Sequence, residues 1–274
     1  MVGEGGFLLR RFPSSIECSP SGSLWYAVLV NTSNAVVRHN TRYLLFLSIA
    51  FAIYWGAWAI HPKHFVNWMV ENTLLVALVV FLIVTRKRFP LSNLSYTLIA
   101  VFLALHTIGA HYSYSEVPYN EWCKAVFGRP LHSGRNMYDR LVHFSFGLLM
   151  AYPIREMFLR IAKVRGFWGY YLPLDLTMSF SMLYELIEWA YASMAGGDAG
   201  SAFLGTQGDE WDAQKDMAMA TLGALISMCV VAFINWKLDR HFGEELRESL
   251  SVSDGDQPLG ERRWAKLRGN PPVK

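Results

Sequence analysis

Long apolar stretches, each bounded by charges or by Gly and Pro, set the pattern of this chain. They run from Arg42 to Ile60, Phe65 to Thr85, Leu94 to Ala110, Asp139 to Arg155, Leu172 to Tyr191 and Met217 to Trp236. About 20 apolar residues carry a helix across a hydrocarbon core roughly 30 Å thick. The third and fourth stretches reach that length only with their flanking residues. All six are much longer than a strand and rich in Leu, Ala, Phe and Met, without the alternation of a barrel strand. The pattern predicts an all-α polytopic membrane protein, a bundle of about six transmembrane helices over residues 41–236. Residues 1–40 carry Arg10 and Arg11 and then a Pro/Ser/Gly stretch, which predicts a mobile tail and not a cleaved signal. Residues 237–274 mix both charge signs with Gly and Pro, and predict a frayed helix followed by disorder.

Composition narrows the picture further. Apolar residues make up 53% of the chain and charged residues only 17%, below the roughly 25% of ordinary soluble proteins. A net charge of +3 spread over so apolar a chain argues against a nucleic-acid partner, and membrane lipids are the expected surroundings. Cys18, Cys123 and Cys229 have neither metal-ligand spacing nor a pairing pattern.

The placement of basic residues predicts orientation, because Lys and Arg are retained on the cytoplasmic side. Nineteen of the 25 fall before the first stretch, after the second, after the fourth and after the sixth; six, among them Arg135, Arg140 and Lys215, fall on the opposite side. Both termini are therefore expected in the cytoplasm.

Ionisable residues at the non-cytoplasmic helix ends are the candidates for chemistry, since a charge placed there is costly unless paired or used. Asp139 and His143 are four apart and share a helix face. Glu185 and Glu188 are three apart in an otherwise apolar helix, in what the apolar run makes its last two turns. Asp209, Asp212 and Asp216 follow a 0, 3, 7 pattern as the chain enters the last helix. His111, Tyr112 and Tyr114 arrive at the same level, and Tyr184, Arg135 and Arg140 flank the acids. Glu71, under two turns into the second helix, is either a further member of this group or a lone acid that reaches the headgroups. His106 is a core or supporting histidine. Residues 196–208 are small and flexible, a loop or lid.

The blocks His111-Tyr112-Ser113-Tyr114, Tyr138-Asp139-Arg140-Leu141-Val142-His143-Phe144, Tyr184-Glu185 through Glu188-Trp189, and Gly208-Asp209 through Met217 resemble those of the YjdF-type bacterial inner-membrane proteins over roughly residues 42–236. At the level of pattern alone, an acid four residues before His-Phe, a helix with a central glutamate and a paired-acid motif opening a final helix are similar to VanZ-like proteins. This chain departs from that pattern at Glu188-Trp189 and Gln214. The resemblance implies the topology and the residue set; it carries no reaction.

Three functional classes fit these residues. Carboxylates with an imidazole offer oxygen and nitrogen ligands for a divalent metal, with His143, Glu185, Glu188, Asp212 and Asp216 as candidate ligands. With Asp139, the same groups form a candidate catalytic set acting on a lipid-linked or envelope substrate, either through the metal or through acid/base chemistry. They could equally bind a cation or proton in a small transporter, or form a noncatalytic ion-pair network that fixes helix packing. Five named acids face three fixed positive charges and one histidine, which favours a site over a closed network. The expected geometry is a single cavity open to the outside.

The charge asymmetry makes orientation testable. Membrane-impermeant thiol reagents on intact cells are expected to label Cys123, or a cysteine introduced beside it; labelling at the introduced position only after lysis contradicts the assignment.

Overall fold

The computed structural model describes residues 41–130, 134–252, 263–264 and 267–268. The chain divides into two units, Met1–Phe46 and Leu47–Lys274. Of the first, residues 41–46 are described and helical; the expected N-terminal tail lies outside the described residues. The second unit holds α1 (residues 47–58), α2 (Phe65–Thr85), α3 (Asn93–Tyr112), α4 (Tyr119–Phe127), α5 (Tyr138–Arg160), α6 (Trp168–Ala195), α7 (Gly197–Leu204), α8 (Asp212–Leu238) and α9 (Phe242–Glu248). No strand occurs among the described residues.

The apolar surface of this unit faces outward. Val76, Val80, Ile83 and Val84 on α2, and Leu222, Leu225, Val230 and Phe233 on α8, are all exposed. Soluble monomers rarely tolerate contiguous apolar patches beyond a few hundred Å², so these faces are solvated by lipid, and the protein is an all-helical polytopic membrane protein. Among the described residues, three helices are by themselves long and apolar enough to cross a bilayer: α2, α3 and α8, with mean hydropathies of 2.1, 1.5 and 2.3. Helices α5 and α6 are longer than α3, yet carry Asp139, Arg140, Arg155, Glu156 and Arg160, and Asp175, Glu185 and Glu188. Burial explains how α5 carries such a load, because it is the central helix, packed against α3, α6 and α8.

Helices α5 and α8 run parallel, backbone against backbone. A Cβ at Gly147 would stand 1.8 Å from the Ala220 carbonyl oxygen and 2.7 Å from the Ala224 nitrogen; one at Gly223 would stand 2.1 Å from the Phe144 carbonyl oxygen. Ala151, Ala220 and Ala224 are fully buried beside them. Small residues spaced along both helices permit this approach, and dispersion over the matched surfaces replaces the hydrophobic drive that lipid cannot supply.

Side chains fasten the ends. Glu156, near the end of α5, accepts hydrogen bonds from the Ser92 backbone N–H and hydroxyl (2.9 and 2.8 Å) and from the Ser95 hydroxyl (2.5 Å), and pairs with Arg160. Ser92 is also the N-cap of α3. Beyond α8, α9 docks on the α5–α6 connection: Phe167 N–H donates to Ser249 Oγ (2.8 Å) and Trp168 Nε1 to the Ser249 carbonyl (2.8 Å).

The elements depart from expectation mainly at their ends. Helix α6 extends four uncharged residues beyond the expected Leu172–Tyr191 at each end and stops at Gly196, which has positive φ. Glu185 and Glu188 thus sit about three and two turns inside the helix. Helix α8 begins at Asp212, not Met217, because Asp212 and Asp216 are buried against protein and do not end a helix as they end an apolar run. The expected loop over 196–208 is helical over Gly197–Leu204. Cys123 is buried on α4, whereas Lys124 beside it is exposed, so a cysteine at Lys124 is the informative probe of orientation.

The α5–α8 contact makes a stability prediction. Gly147→Ala and Gly223→Ala should each destabilise the protein by about 1–3 kcal/mol or more, the range for overpacking. Gly56→Ala, with nothing within 4 Å of the added methyl, should be neutral or stabilise by up to about 1 kcal/mol. Thermal unfolding of the three variants in detergent checks the contrast; equal behaviour contradicts the contact.

Candidate functional site

The ionisable groups separate into two layers where α5 and α8 begin. In the first, every acid has a basic partner. Arg140, in the first turn of α5, donates to the Asp212 carbonyl (2.7 Å) and carboxylate, to Asp216 Oδ2 (2.5 Å) and to Asp209 Oδ2 (3.3 Å). Arg135, in the connection leading to α5, donates to the Thr206 carbonyl (2.6 Å) and to the same Asp212 carboxylate. Lys215 donates to both oxygens of Asp209 (2.7 and 2.8 Å); this ammonium holds the Asp209 carboxyl below its ordinary range. Three acids thus meet three bases. Asp212 and Asp216 also occupy the first turns of α8, where the helix dipole favours negative charge.

Loops complete this layer. Asn136 Nδ2 donates to the Ser115 and Val117 carbonyls (3.0 and 2.6 Å), and its backbone exchanges hydrogen bonds with the Gln207 side chain (2.9 and 3.1 Å). These bonds tie the segment after α3 to the segment before α8, with Arg135 held between them. Farther out, Lys63 pairs with Glu116 at 2.5 Å and keeps that carboxyl below its ordinary range.

The second layer lies one turn deeper and lacks such partners. His143 Nε2 stands 3.5 Å from Asp139 Oδ1 and 3.6 Å from Glu185 Oε1. These separations exceed a good hydrogen bond. Ligand atoms about 2.1 Å from a shared ion stand roughly 3.0–3.4 Å apart, close to what is seen. Glu185 Oε1 and Asp216 Oδ1 are buried with no hydrogen-bond partner. Among the described residues, Asp139, His143 and Asp216 present ligand atoms all within 4.8 Å of one another. Glu188 is within electrostatic reach of Glu71, Asp139, Glu185 and Asp216. Asp139, Glu185, Glu188 and Glu71 therefore face two histidines, His143 and His106, a larger imbalance than five acids against three bases and a histidine.

Several residues take places that spacing did not indicate. Glu71 is 6% exposed and accepts a hydrogen bond from the Tyr184 hydroxyl at 2.9 Å; it points into the bundle and not to headgroups. The signal was its pairing with Asn72, also buried, on an otherwise apolar helix. His106 contacts the Glu71 carbonyl through Nε2 (3.2 Å) and the Tyr114 hydroxyl through Nδ1 (2.5 Å). Tyr114 reaches it by folding back at positive φ, its ring lying across Gly109, where a Cβ would meet it at 2.5 Å. His111 is not brought to the acids: its Nδ1 meets the Trp58 carbonyl at 2.7 Å, and its ring packs on Trp58 and Tyr112. Tyr112 stays with that aromatic group. Asp212, a candidate ligand, is engaged by two guanidiniums, and Asp139 stands where a ligand would.

The cavity beside the acids also differs from the outward-open one expected. It measures about 500 Å³ and is lined by His143, Tyr184, His106 and Tyr114 at one end, then runs down the bundle between α2, α3, α5 and α6.

Comparison with known proteins agrees with this architecture. A family described as "Predicted membrane protein (DUF2238)" matches residues 43–237. The inner membrane protein YjdF of Escherichia coli (strain K12) is 39% identical over 196 residues, covering 70% of this chain and 88% of that protein. No solved structure matches. All four blocks of candidate site residues lie within the matched span, and the chain belongs to the DUF2238 family of predicted membrane proteins.

Proposed function

We propose that this protein binds a divalent cation at the Asp139, His143 and Asp216 group, with Glu185 as a further oxygen ligand, and uses the site on a lipid-linked or envelope substrate. The observation that carries the reading is the group of Asp139, His143 and Asp216, whose ligand atoms lie within 4.8 Å of one another, with two buried carboxylate oxygens that have no hydrogen-bond partner, Glu185 Oε1, 3.6 Å from His143 Nε2, and Asp216 Oδ1. A buried polar atom left without a hydrogen bond is costly, and Asp216 Oδ1 remains one although Arg140 pairs the other oxygen of that carboxylate. A divalent cation would offset the surplus acid and supply Lewis-acid polarisation of a substrate oxygen. Glu188 and Glu71 lie within electrostatic reach of Asp139, so a change of charge at the site is felt by both.

In this reading α1, α2, α3, α5, α6 and α8 each cross the membrane, both termini are cytoplasmic, and the acids lie at the outer ends. The transport alternative is weaker because the cavity has no polar station toward its other end: Asp175, near the start of α6, is exposed and does not line it. A closed structural network is weaker because the acids that pack α5 on α8 already have their bases.

Thermal unfolding in detergent, with and without added Mg²⁺, Mn²⁺ or Zn²⁺, separates the readings. The wild type should gain about 2.7 kcal/mol at an ion concentration 100-fold above Kd. Asp139→Asn and Glu188→Gln relieve repulsion and should keep the ion-free stability; Asp139→Asn should abolish the ion response. Asp212→Asn leaves Arg135 and Arg140 short of a partner and should cost about 3–5 kcal/mol with or without ions. Uniform destabilisation with no ion response in the wild type contradicts the proposal.

A further inference from the structure

The cavity beside the acids is polar at one end only. His106, Tyr114, His143, Ser181 and Tyr184 line that end; the remainder is Leu, Ile, Phe, Met and other apolar side chains down to Leu91 and Met157. On α5 its lining extends from Val142 to Met157, a rise of about 22 Å at 1.5 Å per residue. One leaflet of a hydrocarbon core roughly 30 Å thick spans about 15 Å, so the cavity reaches past the bilayer midplane. Such a shape is unsuited to a sugar, nucleotide or peptide, which would need polar partners along its whole length.

Access is from the side. Helix α2 packs on α3, and α2 and α6 both line the cavity with little direct packing between them. Leu74 and Phe81 on α2, and Phe180, Leu183 and Ile187 on α6, line it and are also exposed at the outer surface of the bundle. They mark a seam open to lipid. The Tyr184–Glu71 hydrogen bond clasps α2 to α6 at the polar end of that seam. Below it, Ser181 is 1% exposed, lines the cavity, and its hydroxyl has no partner. A helical serine buried in hydrocarbon would normally return its proton to a carbonyl one turn back, as Thr177 does to Pro173.

We infer that the cavity receives, through the α2–α6 seam, one long hydrocarbon chain of a lipid whose oxygen-bearing head lies at Ser181, Tyr184 and His143, against the acid cluster. This deepens the proposed function and rests on it for the chemistry at the head: the substrate class is a long-chain amphiphile, bound with its tail directed away from the acids. The Ser181 and Tyr184 hydroxyls donate to the head, and releasing Tyr184 from Glu71 opens the clasp that admits it. The shared chemistry of fatty-acyl and polyprenyl lipids fits the cavity, and the test distinguishes them.

The full chain is reconstituted in phospholipid nanodiscs with three probes, a fatty acid, a lysophospholipid and a polyprenyl phosphate, each with a diazirine at the far end of its chain. After irradiation, cross-linked residues are mapped by mass spectrometry. Labelling should concentrate at the apolar end of the cavity, on Phe81, Leu82 or Met157, and the probe that labels best identifies the lipid class. Leu78→Trp, and the gentler Ala77→Phe at the exposed seam, should reduce this labelling at least tenfold while leaving the divalent-ion response of unfolding intact. Labelling equal to that of the lipid-facing α8 residues Val230 and Phe233, or unchanged in both variants, overturns the inference. Cavity labelling in a wild type without an ion response supports this inference and overturns the cation reading alone.

Discussion

The guanidinium of Arg140 is the interaction on which the rest of the structure depends. A buried positive charge in a bilayer-embedded bundle must be matched by carboxylates, and Arg140 takes them from one face of α8, at Asp212 and Asp216, with Asp209 just before that helix. The pairing sets the register of two parallel helices. Seven residues on in each, about 10.5 Å down the axis, Gly147 and Gly223 meet the facing backbone. Electrostatics at the outer end and close packing below it therefore specify the same alignment. A shift by one turn would break both.

That arrangement also determines where charge is left over. With Asp209, Asp212 and Asp216 turned toward Arg135, Arg140 and Lys215, the bases of this region are committed. Asp139 projects from the same turn of α5 as Arg140 but faces His143 and α6. Glu185, Glu188 and Glu71 approach from two other helices. The surplus is thus a consequence of the fold: a neutral outer layer covers an acid-rich inner one, and the inner one adjoins an apolar cavity.

Much of this was legible in the sequence, because a bilayer imposes long apolar runs and acids within or beside them at helical spacing stand out. Asp139, His143, Glu185, Glu188, Asp212 and Asp216 were found that way. Helix ends were less legible: hydropathy starts the last helix after its acids, whereas α8 begins at Asp212 with acids that face protein, and α6 gains an uncharged turn at each end. Glu71 was legible only as two alternatives, because a single acid near a helix end looks the same whether it points to headgroups or inward, and only the partner Tyr184 distinguishes the two. His111 and Tyr114 illustrate the reverse limit. Neighbours in sequence, they part at a left-handed turn, one to the Trp58 carbonyl and the other to His106. The layering was illegible for a simpler reason: which acid takes which base depends on contacts between residues as distant as Arg140 and Asp212.

The central claim is that Asp139, His143 and Asp216, with Glu185, hold an ion. Its most direct measurement is the divalent metal content of the purified protein after exhaustive dialysis, for the wild type and for His143→Ala. About one ion per chain in the wild type, and none in the variant at matched helical content, is the predicted result. A metal-free wild type that also takes up none on titration would contradict the account.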